Sequence, residues 1–176
     1  SDRPAIYAVA ADKVFITAEA GTTNTLADGS SYATDTFGNN PDGAIFARCD
    51  LTINGTGSLN VSGNYKFGIV GKDDVVIANL ALQVSAASDG IVGKDSVSIG
   101  SGTISIVAGG DGIVSENSED TTAGSVLIDG GTITIQTGGS GADSAKGIKA
   151  QAALAINGGD ITIDAEDDAL HSTTSV

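Results

Sequence analysis

A chain of 176 residues that is 40% hydrophobic is long enough to bury one substantial core, and its 22 acidic against 8 basic side chains leave a formal charge of −14. Phosphate recognition needs a basic face, so nucleic acid is excluded as a partner. One cysteine, Cys49, excludes an internal disulfide framework and a thiolate metal cluster, and no apolar run approaches the roughly 18 residues of a membrane span.

The opening "SDRPAIYAVA" lacks the charged start and apolar stretch of a signal peptide, so a secreted chain is expected here in its mature form. Ala8 to Ile16, "AVAADKVFI", reads as a short plug followed by a strand that turns Val14 and Ile16 inward. The polar stretch from Thr25 to Gly43 reads as a loop, so residues 1–42 are expected to be an N-terminal coil with a polar excursion.

From residue 43 onward the sequence repeats. "GIVGKD" stands at Gly68 and again at Gly90, and "GIVSEN" begins at Gly112, so the three glycines fall 22 residues apart. The next plug, "GIKAQ" at Gly147, follows after 35 residues, and "ALHS" at Ala169 restores the spacing of 22. Upstream, "GAIFARCD" fits the same frame with Ile45 in the place of Ile69.

Stacking the repeats puts like on like. One column reads Ile45, Ile69, Ile91, Ile113, Ile148 and Leu170; another reads Ile53, Ile77, Ile99, Ile128 and Ile156. Alternation within each segment has a period of two, as in a strand with one face inward. Three short strands per 22-residue repeat predict an all-β fold, a right-handed parallel β-helix in which each repeat is one coil. The predicted organisation is one domain: regular coils over 43–168, insertions at 116–125 and 138–147, and the start of a further, incomplete coil at 169–176. An open coil end exposes unpaired strand edges, which makes end-to-end homo-association at the C-terminal coil an expectation.

Charge recurs with the same period. Counting back from the second inward Ile gives an acid column of Asp12, Cys49, Asp73 and Asp95, with Glu116 following; beside it come Lys13, Asp50, Asp74 and Ser96. A second acidic corner precedes the plug at Asp89 and Asp111, with Asp167 and Asp168 further on. Carboxylates on adjacent coils sit roughly 4.8 Å apart and repel, and calcium, which takes six to eight oxygens, converts that repulsion into ligation. The expected metal ligands are therefore Asp73, Asp74, Asp95, Glu116, Asp89 and Asp111. His171, the single histidine, rules out a zinc site of histidine and cysteine ligands.

Arg48, Lys72 and Lys94 form a basic column beside the acids. They serve either to relieve the acid column or as a base or a grip on anionic sugars; Lys72 and Lys94, with Tyr65 and Phe67 at the "SGNYKF" corner, are the expected carbohydrate contacts. The outward row Asn60, Gln83, Ser105, Thr134, Thr162 suits a polysaccharide chain or a solvated sheet face equally.

The runs "DGAIFARCDLTINGTGSLNVSGNYKFGIVGKDDVVI", "SDGIVGKDS", "GGDGIVSENSED" and "DDALHS" resemble the bacterial cell-surface carbohydrate-binding β-helix proteins, which are polysaccharide-lyase-like in fold. The resemblance covers Ala5 to Ser172. It implies an extracellular or cell-surface location, binding of cellulose or pectic polymers, and calcium in the turns. Cys49 stands where the family pattern often has Asp, which removes a carboxylate from that corner. The expected function is thus a non-catalytic, calcium-stabilised polysaccharide-binding module; the alternative is a structural or adhesive surface repeat that self-associates end to end.

Overall fold

Each segment that alternates apolar and polar residues is a strand, and each strand pairs with the equivalent segment one coil away. The structure, a computed structural model, describes residues 2–33, 38, 40–120, 122–139 and 144–174. The first coil holds β1 (Ile6–Ala8), β2 (Lys13–Ala18) and β3 (Thr23–Ala27), and the second β4 (Gly43–Ala47), β5 (Asp50–Gly55) and β6 (Ser58–Gly63). The third holds β7 (Phe67–Gly71), β8 (Asp74–Ala78) and β9 (Ala81–Ala86), and the fourth β10 (Ile91–Gly93), β11 (Ser96–Ile99) and β12 (Thr103–Ala108). The fifth holds β13 (Ile113–Ser115), β14 (Ser125–Ile128) and β15 (Thr132–Thr137); the sixth holds β16 (Ile148–Ala150), β17 (Leu154–Ile156) and β18 (Asp160–Asp164); β19 (Leu170–Ser172) follows.

Every third strand joins one sheet. Strand β1 begins a seven-stranded sheet that ends at β19, while the second and third strands of the coils build two six-stranded sheets. All pairings are parallel, with Ile45, Ile69, Ile91, Ile113, Ile148 and Leu170 in one register. The chain is a parallel β-helix, and the expected columns are its core: Ile45, Ile69, Ile91, Ile113 and Ile148 are all 0% exposed. Each such side chain contributes roughly 1.5–3 kcal/mol by leaving water, before conformational entropy is set against it.

The plug glycine is fixed by space. A Cβ on Gly90 would stand 2.6 Å from the carbonyl oxygen of Gly112 in the next coil and 2.6 Å from Cγ2 of Ile106. Gly68, Gly112 and Gly147 meet the same two obstacles, a carbonyl one coil on and an inward branched side chain of the third sheet. The column is therefore glycine from the third coil to the sixth, while the second coil, next to the N-terminal one, carries buried Ala44 at this place.

The N-terminal excursion is shorter than expected. Thr25, read as loop, lies within β3, where Leu26 turns inward opposite Val61 and Thr25 faces out opposite Asn60. The polar stretch misleads because outward positions of a solenoid strand are polar in any case. The loop proper starts at Asp28, and its return brings Gly38 and Asp42 to the outer face of the seven-stranded sheet, beside Phe46 and Lys72. There Phe46, Val70, Val92 and Val114 form a second, outer apolar cluster, flanked by Tyr7 and Phe67. The insertions lie between β13 and β14 and between β15 and β16, and residues 121 and 140–143 within them fall outside the described residues.

Candidate functional site

The corner after the first strand of each coil collects charge. The pairings Ala47↔Gly71, Gly71↔Gly93 and Gly93↔Ser115 carry the register into the residues that follow. Arg48, Lys72, Lys94 and Glu116 therefore share one column, and Cys49, Asp73, Asp95 and Asn117 the next. Backbone bonds from Lys94 N to Gly71 O (3.0 Å) and from Asn117 N to Lys94 O (2.9 Å) hold the stack.

Glu116 is thus displaced from its expected place in the acid column. The loop departs one residue later than the count assumed, and Asn117 takes the position, donating from Nδ2 to Asp95 Oδ1 at 2.6 Å. Oδ1 of Asn117 accepts from the backbone N–H groups of Glu119 and Asp120, so this side chain both closes the acid column and shapes the loop.

Asp73 and Asp95 do sit on adjacent coils, as expected. Burial raises the Asp73 carboxyl above the usual range, with further upward pushes from Asp95, Asp50 and Asp74. Cys49 is buried, and its thiol is pushed up by burial and then by Asp73, Asp50 and Asp12, which suits a neutral spacer. Asp74 stands one column over. It accepts from Ser96 Oγ at 2.7 Å, while Asp50 below it pairs with Lys13 Nζ at 2.8 Å.

Asp89 and Asp111 prove to be inter-coil caps. Asp89 Oδ1 accepts the backbone N–H of Asp111 at 2.9 Å, and Asp111 Oδ1 that of Lys146 at 2.7 Å, just before each first strand. The other oxygen of Asp111 meets Lys149 Nζ at 3.2 Å. Further along, Lys146 pairs with Asp167, and His171 Nδ1 lies 3.0 Å from Asp168.

The oxygen-donor chemistry of calcium fits these acids unequally. Asp73 and Asp95 offer neighbouring carboxylates; burial and then Asp95 raise the Asp73 carboxyl, and a divalent cation bound at Asp73 and the second oxygen of Asp95 relieves the repulsive part. Asp89 and Asp111 fit less well, because one oxygen of each caps a backbone N–H of the next coil and the other oxygen of Asp111 already meets Lys149. Among the described residues, no three His, Cys, Asp or Glu side chains are drawn together as a cage.

The basic column lines a depression of about 340 Å³ with Gly38, Phe46 and Asp73. Lys72 Nζ lies 5.7 Å from the Phe46 ring centroid, and Lys94 Nζ is a loose 3.9 Å from Glu119. Phe67, expected to be exposed, is half-buried against the outer apolar cluster with Lys66 Nζ 4.7 Å above its ring. An outward aromatic on this sheet is half-covered because the outward valines of the neighbouring coils and the Lys66 side chain pack against it.

Tyr65 is exposed and forms part of a constellation that the periodic pattern did not show. It stacks on Tyr32 with centroids 4.4 Å apart and planes 22° off parallel. The Tyr32 hydroxyl lies 2.7 Å from Asp28 Oδ2 and 2.9 Å from the Gly43 carbonyl oxygen, sharing its hydrogen between them. Burial and then the Asp28 hydrogen bond push that phenol far up. Asp28 also receives the backbone N–H of Asn64, and the Asn64 amide returns a bond to the Asp28 carbonyl at 2.9 Å. Loop residues aligned to no repeat gave no signal for this clamp; for Asn117, its spacing of 22 from Asp95 was the available clue.

A family model described as carbohydrate-binding domain-containing protein matches residues 1–145 and 140–176. A carbohydrate-binding domain-containing protein of Acetivibrio thermocellus is 43% identical over 159 residues, which is 90% of this chain and 54% of that protein. Among solved structures, the polysaccharide lyase-like protein from C. thermocellum, a gadolinium derivative, matches with a TM-score of 0.86 at 33% identity, over 92% of this chain and 63% of that one. The chain spans about half the length of the curated relative it matches.

Proposed function

The chain belongs to the family of carbohydrate-binding domain-containing proteins, and from that premise we propose that it is a non-catalytic module that holds an anionic polysaccharide along the column Arg48, Lys72, Lys94. The observation that carries this reading is local charge: three of only eight cations in a chain of net charge −14 stand on successive coils of one edge. Such a column matches a polymer of uronic acid residues, since spaced carboxylates meet spaced cations at the opening beside Phe46 and Gly38. Tyr65 and Lys66 stand outside this depression, Lys66 lying over the half-buried Phe67 ring.

Calcium belongs to this reading at Asp73 and Asp95. The ion supplies positive charge next to the basic column and so extends the surface that attracts carboxylates. An extracellular or bacterial-surface location follows from the substrate, since such polymers are met outside the cell.

Titration with oligogalacturonate in calcium, with and without chelator, tests the proposal. The double substitution Lys72→Ala with Lys94→Ala is expected to weaken binding by about tenfold or more, and added salt to weaken the wild type. Unchanged affinity in the double variant overturns the reading. Release of unsaturated, ultraviolet-absorbing sugar would instead make the module a lyase.

A second reading rests on the last coil, where Ile156 is 40% and Leu170 39% exposed beside Ile161 and Ile163. That apolar end suits coil-to-coil association with a second copy. Concentration-dependent sedimentation that disappears in Leu170→Lys supports it; a monomer at all concentrations refutes it.

A further inference from the structure

We infer that the depression walled by Tyr32, Asn40, Asp42, Tyr65 and Lys66 is a separate subsite for a neutral sugar ring, next to the charged column and selective for hydroxyls over carboxylates. The inference rests on the polysaccharide reading but names a different place and a different sugar chemistry.

Its volume, about 350 Å³, falls in the range of small-ligand sites. One wall is the Tyr32–Tyr65 stack, and the exposed ring of Tyr65 offers a flat apolar face of the kind that covers the C–H side of a pyranose. This wall is already in place without ligand. Tyr32 is pinned through its hydroxyl to Asp28 and Gly43, Asp28 is pinned to Asn64, and Tyr65 follows Asn64 in the chain. A preformed wall lowers the ordering cost of binding.

The polar side of the depression carries an unmet demand. Among the described residues, Asp42 Oδ1 is a buried side-chain oxygen with no hydrogen-bond partner. Burial pushes the Asp42 carboxyl up, while Lys72 and then Lys66 pull it down. Other atoms of Asp42 line the opening, and the broad torsion of an aspartate lets the carboxylate turn an oxygen toward an incoming donor. A sugar hydroxyl is such a donor; a sugar carboxylate is not. Asn40 adds an amide that both donates and accepts.

Charge sorts the two depressions. Asp42, with Asp28 behind Tyr32, outnumbers the single cation Lys66 here and opposes an anionic substituent, while Arg48, Lys72 and Lys94 invite one next door. Asp42 feels both Lys66 and Lys72, so it stands between the two openings. A polymer that carries neutral and acidic sugars therefore meets a reader for each.

Calorimetric titration of the full chain with two kinds of probe tests this: neutral β-linked hexasaccharides of glucose, mannose and xylose, and hexagalacturonate. Tyr65→Ala and Asp42→Asn are each expected to weaken the best neutral probe by about tenfold or more without weakening hexagalacturonate, which Asp42→Asn, by removing a negative charge beside Lys72, is free to strengthen. Tyr65→Phe should retain neutral binding, and the double lysine substitution should spare it. Thermal melts matching wild type confirm that the variants fold. The inference is overturned if the wild type binds no neutral probe, if Tyr65→Ala and Asp42→Asn bind it normally, or if they lose both probes equally. Loss of hexagalacturonate binding in none of the variants would instead refute the charged column and leave this subsite standing.

Discussion

Replacing Gly90 with alanine tests the solenoid at its tightest point. The added Cβ would lie 2.6 Å from both the Gly112 oxygen and Ile106 Cγ2, about 0.8 Å short of the 3.4 Å at which ordinary contact begins. Neither obstacle yields cheaply: one is backbone of the next coil, and the other belongs to a side chain only 1% exposed. Overpacking of this kind costs about 1–3 kcal/mol. Moving the carbonyl also loosens the Ile91 N to Gly112 O bond, now 2.9 Å, for about 1 kcal/mol more. Loss of glycine's unfolded-state freedom offsets about 0.4–1 kcal/mol. The net destabilisation is about 2 kcal/mol, or a fall in Tm of about 4–8 °C for a chain of this size. Thermal unfolding by circular dichroism measures it against Gly139→Ala, where a Cβ meets nothing within 4 Å. A Tm for Gly90→Ala within about 1 °C of wild type would refute the account of why the plug begins with glycine.

The acid column predicts a change of sign. Because the folded-state carboxyl of Asp73 is raised, the folded chain holds its proton more tightly than the unfolded chain. In chelator, stability should therefore rise as pH falls from neutrality through the Asp73 range, and Asp73→Asn should raise Tm at neutral pH by about 1–3 °C. In millimolar calcium the order should reverse, the wild type gaining stability and the variant not. Identical responses of the two proteins to calcium would remove Asp73 from the ligand set.

Much of the fold was legible because a solenoid repeats its core in sequence. Ile69, Ile91 and Ile113 recur at a fixed interval, each must land in the same column, and a one-residue slip would turn every inward side chain outward. The charged corner was legible by the same arithmetic as far as Asp95, and failed at Glu116, where a loop of different length breaks the count. The roles of Asp89 and Asp111 were hidden for another reason: spacing shows that two carboxylates stack, but only coordinates show that each receives a backbone N–H of the next coil. Tyr32, Asp28 and Asp42 left no trace at all. They lie on a loop that returns across the outer sheet, and their partners Asn64 and Tyr65 stand more than thirty residues away from Asp28 in the chain.

The basic column has a consequence for the shape of whatever it holds. Its rungs are separated by the distance between hydrogen-bonded strands, about 4.8 Å, which no side-chain substitution alters. The edge is therefore a ruler with fixed graduations. A stiff polymer whose charges recur at another interval drifts out of phase within a few graduations, whereas one that twists or bends as it lies down stays in step. Selectivity for backbone stiffness is thereby set by the main chain, and evolution can lengthen the ruler by adding a coil without recalibrating it.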